Sequence, residues 1–395
     1  MWKDVSLSAI VAGLIAVTIS YAGPALIIFQ AGNAAGLSQS VMASWIWAVS
    51  IGSGVAGLWL SYRYKAPVIT AWSTPGAALL LSCLGQVSFP EVIGAYCFAS
   101  FLILVLGMTG GFDKIISWIP KEIAAAMLAG ILFRFASETM TALHDLPMLV
   151  VPMFLAFLVL RKLLPRYAIL LVLCVGVIIS AEMGLLHLGN VHLAVMQPVW
   201  TTPQFSLAGI IGIGLPLAMV TITGQFVPGI AVMQNAGYET AAKPMVSVTS
   251  LAALLLAPFG AHGINLAAIT AAICTGRESH EDPKKRYIAG IVAGAFYIVV
   301  GMVGGALVAL FAALPKALVI TIAGLALLGA LMNGLAVAMS NEQQRESALI
   351  TFVVTASGVT LVGLGAPFWG LIAGMIAKWL LEGRGLSLVL AWKKS

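Results

Sequence analysis

Long apolar segments recur along this chain from one end to the other. Each segment of about 20 apolar residues is long enough to cross a hydrocarbon core of roughly 30 Å. The composition agrees, since 61% of the residues are hydrophobic and only 9% are charged, whereas soluble domains carry about 25% charged residues. The pattern predicts an all-α membrane protein, because a membrane β-barrel shows alternating segments of about ten residues instead.

The apolar segments and the charges between them predict a topology. We expect fourteen transmembrane segments, at residues 8–30, 41–60, 66–85, 91–111, 121–138, 147–162, 167–184, 206–232, 244–257, 259–276, 287–311, 317–339, 347–363 and 367–382. If the N-terminus is cytoplasmic, all of the 20 basic residues except Arg134 and Lys316 fall at cytoplasmic ends, as the positive-inside rule predicts. Both termini are therefore expected in the cytoplasm. The net charge of +6 then reflects topology and not a site for nucleic acid.

The third segment, Ala66 to Gly85, is interrupted at its centre by the sequence Trp-Ser-Thr-Pro-Gly, which ends at Gly76. Pro75 disfavours helix at Thr74, yet it suits the first turn of a helix that starts there. We predict an extended stretch over Val68–Trp72, followed by a half-helix over Gly76–Leu84.

A second copy of this element occurs at Ala257–Gly276, where "APFGAHGINLAAITAAICTG" aligns with "APVITAWSTPGAALLLSCLG". Gly23–Gly36 and Val227–Thr240 form a second matching pair, which shares a proline and a glutamine. Each copy holds seven segments, and an odd number places the second copy upside down in the membrane. The sequence predicts a 7+7 inverted-topology repeat with broken segments 3 and 10, an architecture of secondary transporters.

The two breaks indicate what the protein binds. Each half-helix N-terminus carries partial positive charge, and the two are expected to face each other at the membrane centre. No acidic residue falls in the predicted membrane core, although cation transporters normally keep one there. The pattern therefore favours a monoanionic or neutral substrate, and we predict no metal site and no cofactor.

Aromatic, hydroxyl and amide residues near the breaks suit a planar ligand with one carboxylate. The candidate substrate-binding residues are Tyr21, Trp72, Ser73, Thr74, Gly76, Gln225, Asn265 and Leu266. The alternative for each is a structural role, since Tyr and Trp anchor membrane interfaces and Asn and Gln join helices. His262, in the second broken segment, is the candidate for proton coupling. It can equally be a neutral core residue, in which case the substrate acid brings the proton.

Several long motifs resemble the benzoate/proton symporter family, BenE. They are Thr70–Leu80 "TAWSTPGAALL", Lys121–Phe135 "KEIAAAMLAGILFRF", Pro228–Tyr238 "PGIAVMQNAGY", Leu266–Cys274 "LAAITAAIC" and Thr355–Gly374 "TASGVTLVGLGAPFWGLIAG". The resemblance covers essentially the whole chain. It implies a bacterial inner-membrane protein that imports benzoate with a proton by alternating access.

The resemblance also implies the fold of uracil/proton symporters and a division into two domains. Residues 1–111 and 206–312 would form a core domain, and residues 112–205 and 313–395 a gate domain. Homodimers form among relatives of this fold. Uracil symporters use an acid and a histidine in the eighth segment, where this chain has Gln225 and no histidine. Their proton mechanism therefore does not carry over.

Other functions remain open at this point. Another planar solute, such as a nucleobase or a substituted benzoate, fits the same residues. An intramembrane enzyme would need a nucleophile and base or a metal motif, and none occurs in the sequence. A channel would need no matched pair of broken helices.

Overall fold

The computed structural model describes residues 4–22, 24–110, 120–165, 167–186, 196–238, 241–267, 269–277, 279–359, 361 and 366–381. The first half of the chain forms helices around one short strand. In chain order these elements are α1 (Leu7–Ala22), α2 (Pro24–Ala34), α3 (Gln39–Tyr64), β1 (Thr70–Trp72), α4 (Thr74–Cys83), α5 (Phe89–Thr109), α6 (Lys121–Asp145), α7 (Pro147–Leu163) and α8 (Ala168–Glu182).

The second half repeats this order of long helices, a short strand and further helices. Its elements are α9 (Leu207–Gly209), α10 (Leu215–Thr221), α11 (Val227–Asn235), α12 (Ala242–Leu256), β2 (Ile264–Leu266), α13 (Ile269–Thr275), α14 (Tyr287–Met302), α15 (Gly304–Ala312), α16 (Lys316–Ala338), α17 (Arg345–Ala356) and α18 (Ala366–Leu381). Helices α9, α10 and α11 form one interrupted rod, because π-helical turns at Ile210–Gly214 and Ile222–Phe226 join them.

Within the described residues, each apolar segment predicted from the sequence overlaps a helix or a broken element of the structure. Among the described residues, eight helices are long and apolar enough to cross a membrane. The chain is thus a mostly helical membrane protein. The count of fourteen crossings stays a prediction, because other apolar helices, such as α8 with 15 residues, are shorter than a full crossing requires.

The helices pack in two groups. In the first, α3 lies against α14 and α5 lies against α12, with the two strands between them. In the second, α6 packs against α16 and α17, and α17 against α18. These groups meet along a cavity described below.

Glycines allow α3 and α14 to lie unusually close together. A Cβ atom on Gly54 would lie 2.6 Å from the carbonyl oxygen of Gly294, and one on Gly294 would lie 2.7 Å from that of Gly54. Both obstacles are backbone atoms, which have no rotamer to change. Small residues at such contacts let membrane helices approach closely. In lipid, van der Waals packing then stabilises the helix pair, because no hydrophobic effect drives the two helices together.

We predict that Gly294→Ala destabilises the protein by about 1–3 kcal/mol, since the added methyl group forces the two helices apart. The matched control is Gly305→Ala in α15, where the added Cβ atom meets only the Met196 sulfur at 4.0 Å. The measurement is the unfolding temperature of the detergent-purified variants. Equal unfolding temperatures for the two variants would contradict this account of the contact.

Candidate functional site

The first break in the chain lies between β1 and α4. Ser73 is the N-cap residue of α4, and its Oγ accepts a hydrogen bond of 2.9 Å from the backbone N–H of Gly76. Pro75 lies in the first turn, where no intrahelical donor is lost. A Cβ atom on Gly76 would lie 2.7 Å from the Ser73 Oγ, so glycine is required for this cap. The sequence Ser-Thr-Pro-Gly thus starts a helix inside the protein without any charged group.

The two breaks are joined by an antiparallel strand pair that the sequence did not indicate. Strand β1 pairs with β2 in the register Thr70 with Leu266, Ala71 with Asn265 and Trp72 with Ile264. All six residues are buried. The pairing satisfies backbone groups that would be costly to leave unpaired at membrane depth. Because the strands are antiparallel, α4 and α13 leave the pair in opposite directions.

Trp72 belongs to a cluster of three aromatic rings. Its ring centroid lies 5.2 Å from that of Tyr21 and 5.8 Å from that of Tyr297, in edge-to-face arrangements. The Tyr21 hydroxyl is hydrogen-bonded to Ser50, and the Tyr297 hydroxyl donates to the Ser20 Oγ at 2.7 Å. Two tyrosines whose hydroxyls are hydrogen-bonded therefore pack against the indole, in the edge-to-face geometry that aromatic pairs favour.

The interrupted rod provides a second irregular element beside the strands. Pro216 and Pro228 each follow a π-helical turn by two residues, and proline removes an intrahelical donor, which loosens the helix there. Thr223, Gly224 and Gln225 lie in the second turn and line a cavity. Turns of this kind recur at functional sites.

The cavity has a volume of about 760 Å³ and lies between the two groups of helices. Its strand-side wall, as we name it, carries Ser20, Trp72, Thr74, Thr223, Gln225 and Thr270 among apolar residues. Its opposite wall comes from α6, α8 and α16 and carries Lys121 and Asn333. A mostly apolar cavity with a few convergent polar groups is the usual form of a small-molecule site.

The comparisons with known proteins identify the family. Residues 3–380 match the BenE family, which is described as "Benzoate membrane transport protein". The chain belongs to the BenE family. It is therefore a membrane transport protein and not an enzyme.

Two relatives agree with this membership. The chain is 46% identical to the benzoate membrane transport protein of Acinetobacter baylyi, over 96% of each chain. It is 42% identical to the inner membrane protein YdcO of Escherichia coli, over 92% of this chain and 93% of that protein.

The transmembrane domain of the cyanobacterial bicarbonate transporter BicA resembles the structure with a TM-score of 0.57 at 13% identity, covering 93% of this chain and 97% of BicA's. SLC26A9 gives a TM-score of 0.61 at 15% identity, covering 96% of this chain and 66% of its own. Murine Slc26a9 in the inward-facing state gives 0.60 at 14% identity, covering 99% and 69%. These likenesses show a shared fold.

Within this BenE protein, three of the candidate substrate residues line the cavity, namely Trp72, Thr74 and Gln225. The other candidates lie behind its wall. Tyr21 supports the Trp72 ring, Ser73 and Gly76 form the cap of α4, and Leu266 lies in β2 against Gly229. Whether these residues contact substrate stays a prediction.

Asn265 is also outside the cavity lining. Its side-chain oxygen and nitrogen are both buried, and neither finds a hydrogen-bond partner in the structure. The indole N–H of Trp72, in the paired strand β1, is likewise buried without a hydrogen-bond partner in the structure. Buried polar groups are nearly always hydrogen-bonded, so unpaired ones mark places where a ligand, a water or a second conformation supplies the partner.

His262 lies in the second broken segment, against Ser73 of the first, and is 1% exposed. Its two ring nitrogens contact Trp45 and the carbonyl of Ser73, and it does not line the cavity. A role in proton coupling stays a prediction. Among the described residues, no group of three or more His, Cys, Asp or Glu side chains is placed to hold a metal ion.

Several residues of the site have little or no signal in the sequence. Tyr297 carries no motif, and its place beside Trp72 comes from packing between distant helices. Thr223 and Thr270 are ordinary residues of apolar segments until the fold brings them together. Lys121 has the one available signal: it is a basic residue at the start of a membrane helix. Sequence reasoning assigned that charge to topology alone.

Proposed function

We propose that this chain imports benzoate, or a similar aromatic monocarboxylate, with a proton by alternating access. The observation that carries the proposal is the wall of the cavity where Trp72 and Thr74 lie together at the start of α4. An aromatic ring stacks against the indole. Its carboxylate then lies near the N-terminus of α4, whose partial positive charge stabilises an anion. Ala267 and Thr270, which follow β2, bound the same space.

The polar groups of the cavity suit one carboxylate. The hydroxyl groups of Thr74 and Thr270 are donors to a carboxylate, whereas those of Ser20 and Thr223 already donate to backbone carbonyls of their own helices. Gln225 offers an amide N–H₂ where an acidic side chain would repel an anion. The remaining lining is mostly apolar and accommodates an aromatic ring. Family membership and the name of the 46% identical relative support benzoate as the substrate.

Lys121 contributes an attraction for the anion at the cytoplasmic end of the cavity, the side on which an importer releases its substrate. It is the one charged side chain among the described residues that line the cavity, and it is exposed on the opposite wall, at the first residue of α6. A lone cation in a cleft with low-dielectric walls raises the local concentration of an anionic substrate. We therefore assign Lys121 to capture of the carboxylate from the cytoplasmic side, and Trp72 with Thr74 to its position at the centre of the cavity.

The same proposal includes the inverted repeat and the two domains. Matched contacts support the repeat: α3 packs on β1 and α14, while α12 packs on β2 and α5. The cavity between the two groups of helices supports a division into a core domain (1–111 and 206–312) and a gate domain (112–205 and 313–395) that move against each other. Cytoplasmic termini, a place in a bacterial inner membrane, and homodimers complete the proposal.

The second candidate function is transport of another planar solute. Gln225 favours it, because an amide pairs with the donor and acceptor edge of a nucleobase as readily as with a carboxylate. Lys121 and the N-terminus of α4 favour the anion. Competition between the two substrates separates these functions.

Proton-driven uptake is the experiment that tests the proposed function. Purified protein in proteoliposomes is expected to accumulate radiolabelled benzoate when an inward proton gradient is imposed, and to ignore excess uracil. Dissipating the gradient with a protonophore should reduce uptake to equilibration, because the driving force is then lost. Inhibition by uracil would favour the second candidate, and accumulation without a gradient would contradict proton coupling.

Lys121→Gln is expected to raise the KM for benzoate presented at the cytoplasmic face about three- to tenfold, since one partly solvated charge interaction is lost. The maximal rate should change little, because Lys121 acts before the substrate reaches its final position. Lys121→Arg, which keeps the charge, is the matched control. Added salt should raise the KM of the wild type toward that of Lys121→Gln, as screening weakens the attraction. An unchanged KM in Lys121→Gln at low salt would refute the capture role.

A further inference from the structure

The hydrogen bonds of His262 decide which of its nitrogens carries a proton. The indole Nε1 of Trp45 donates to the Nδ1 atom of His262 at 2.9 Å. An indole N–H can only donate, so Nδ1 is the acceptor and carries no proton. The neutral ring must then carry its proton on Nε2, which lies 3.0 Å from the carbonyl oxygen of Ser73 and donates to it. Both nitrogens of the neutral ring are thus satisfied.

A second proton has no place on this ring. It would go to Nδ1 and point directly at the Trp45 N–H, which would break that bond and set two donors against each other. Tyr96 of α5 is the titratable side chain that packs on the ring, at 6.2 Å between centroids. No charged side chain of the described residues interacts with the ring. Nothing on the neighbouring elements α3, α4 and α5 therefore stabilises an imidazolium at this position.

The partner of His262 is the residue that fixes the start of α4. The carbonyl of Ser73 also accepts the N–H of Ala77 at 2.8 Å, and its hydroxyl accepts the N–H of Gly76 at 2.9 Å. Thr221 at the end of α10 donates to the same hydroxyl at 3.3 Å. The segment before β2 and α10 thus both contact Ser73, and α3 reaches it through His262. Ser73 directly precedes the cavity residue Thr74.

We propose that His262 is a neutral positioning residue, which holds the N-terminus of α4 in place through Ser73 and does not carry the coupling proton. The ring connects the second broken segment to the first and to α3, so it transmits the position of one half of the site to the other. The proposal rests on the proposed function, because it concerns the residue that sets the geometry of the proposed carboxylate site.

Paired transport assays on His262→Gln and His262→Ala test the proposal. Glutamine has one acceptor and one donor, which replace Nδ1 and Nε2–H, but it cannot carry a proton. His262→Gln is therefore expected to retain proton-driven accumulation of benzoate with an unchanged pH profile. His262→Ala should raise the KM roughly tenfold, since it leaves buried donors and acceptors unpaired. It should raise the KM equally in driven uptake and in benzoate exchange at equal pH.

The opposite pattern would overturn the proposal. If His262 carries the proton, His262→Gln loses driven accumulation while exchange continues, because only the proton-dependent return step is blocked. Two aromatic variants serve as a matched pair of controls. Trp45→Phe removes the donor to Nδ1 and should raise the KM as His262→Ala does. Tyr96→Phe removes a buried hydroxyl that has no hydrogen-bond partner, and should leave the KM unchanged.

A measurement without benzoate separates this proposal from the proposed function. Nitrogen-15 NMR of histidine-labelled protein, with His262→Gln to assign the signal, reports which ring nitrogen is protonated. The expected result is a protonated Nε2 and a bare Nδ1, with no change between pH 5 and 8. Titration of the signal in that range would overturn the proposal even if the wild type transports benzoate. An unchanged signal would support it even if another solute proves to be the substrate.

Discussion

A pair of three-residue strands holds the two halves of the chain together at the centre of the molecule. Backbone that leaves a helix inside a membrane exposes N–H and C=O groups that lipid cannot satisfy. Here β1 and β2 satisfy each other, and the N–H of Ala267 extends the pairing to the carbonyl of Ile69 at 2.9 Å. This pairing allows both halves to break a helix at the same depth. The cavity, the cap of α4 and the aromatic cluster all depend on that break.

Around the strand pair, uncharged polar groups provide the interactions that charged side chains would provide in the binding site of a soluble protein. Ser73 caps α4, the N-terminus of the helix carries partial positive charge, and the hydroxyls along the cavity are uncharged. This choice follows from the cost of burying a charge in a low-dielectric interior. The charged residue of the cavity, Lys121, lies at a helix end where it remains exposed. A charge at the edge of the cavity and helix dipoles at its centre suit an anion that must both enter and leave the site.

Local signals in the sequence were enough to predict the first break. Ser73, Pro75 and Gly76 each have a local reason to start a helix, and α4 begins at Thr74, two residues before the predicted Gly76. The second half-helix begins at Ile269, after β2, which extends through Leu266. Trp72, Thr74 and Gln225 were placed near the breaks, and all three line the cavity.

The parts that were missed depend on contacts between distant segments. A strand of three residues is too short to show a period, so the register of Ala71 with Asn265 has no trace in either segment alone. Tyr297 reaches Trp72 only after α14 has packed against α3. Lys121 looked like a topological charge because a basic residue at a helix end serves that purpose by default. Its proposed second role becomes visible only once the fold places Lys121 on the opposite wall of the cavity.

The central claim is that the carboxylate of an aromatic acid binds in the cavity beside the N-terminus of α4. Crystals grown with 4-bromobenzoate test it most directly, since anomalous scattering locates the bromine atom without reference to the rest of the ligand. The account predicts a single bromine site inside the cavity, with the ring against Trp72 and the carboxylate toward Thr74. A bound bromobenzoate found outside this cavity, or with its carboxylate turned away from α4, would contradict the account.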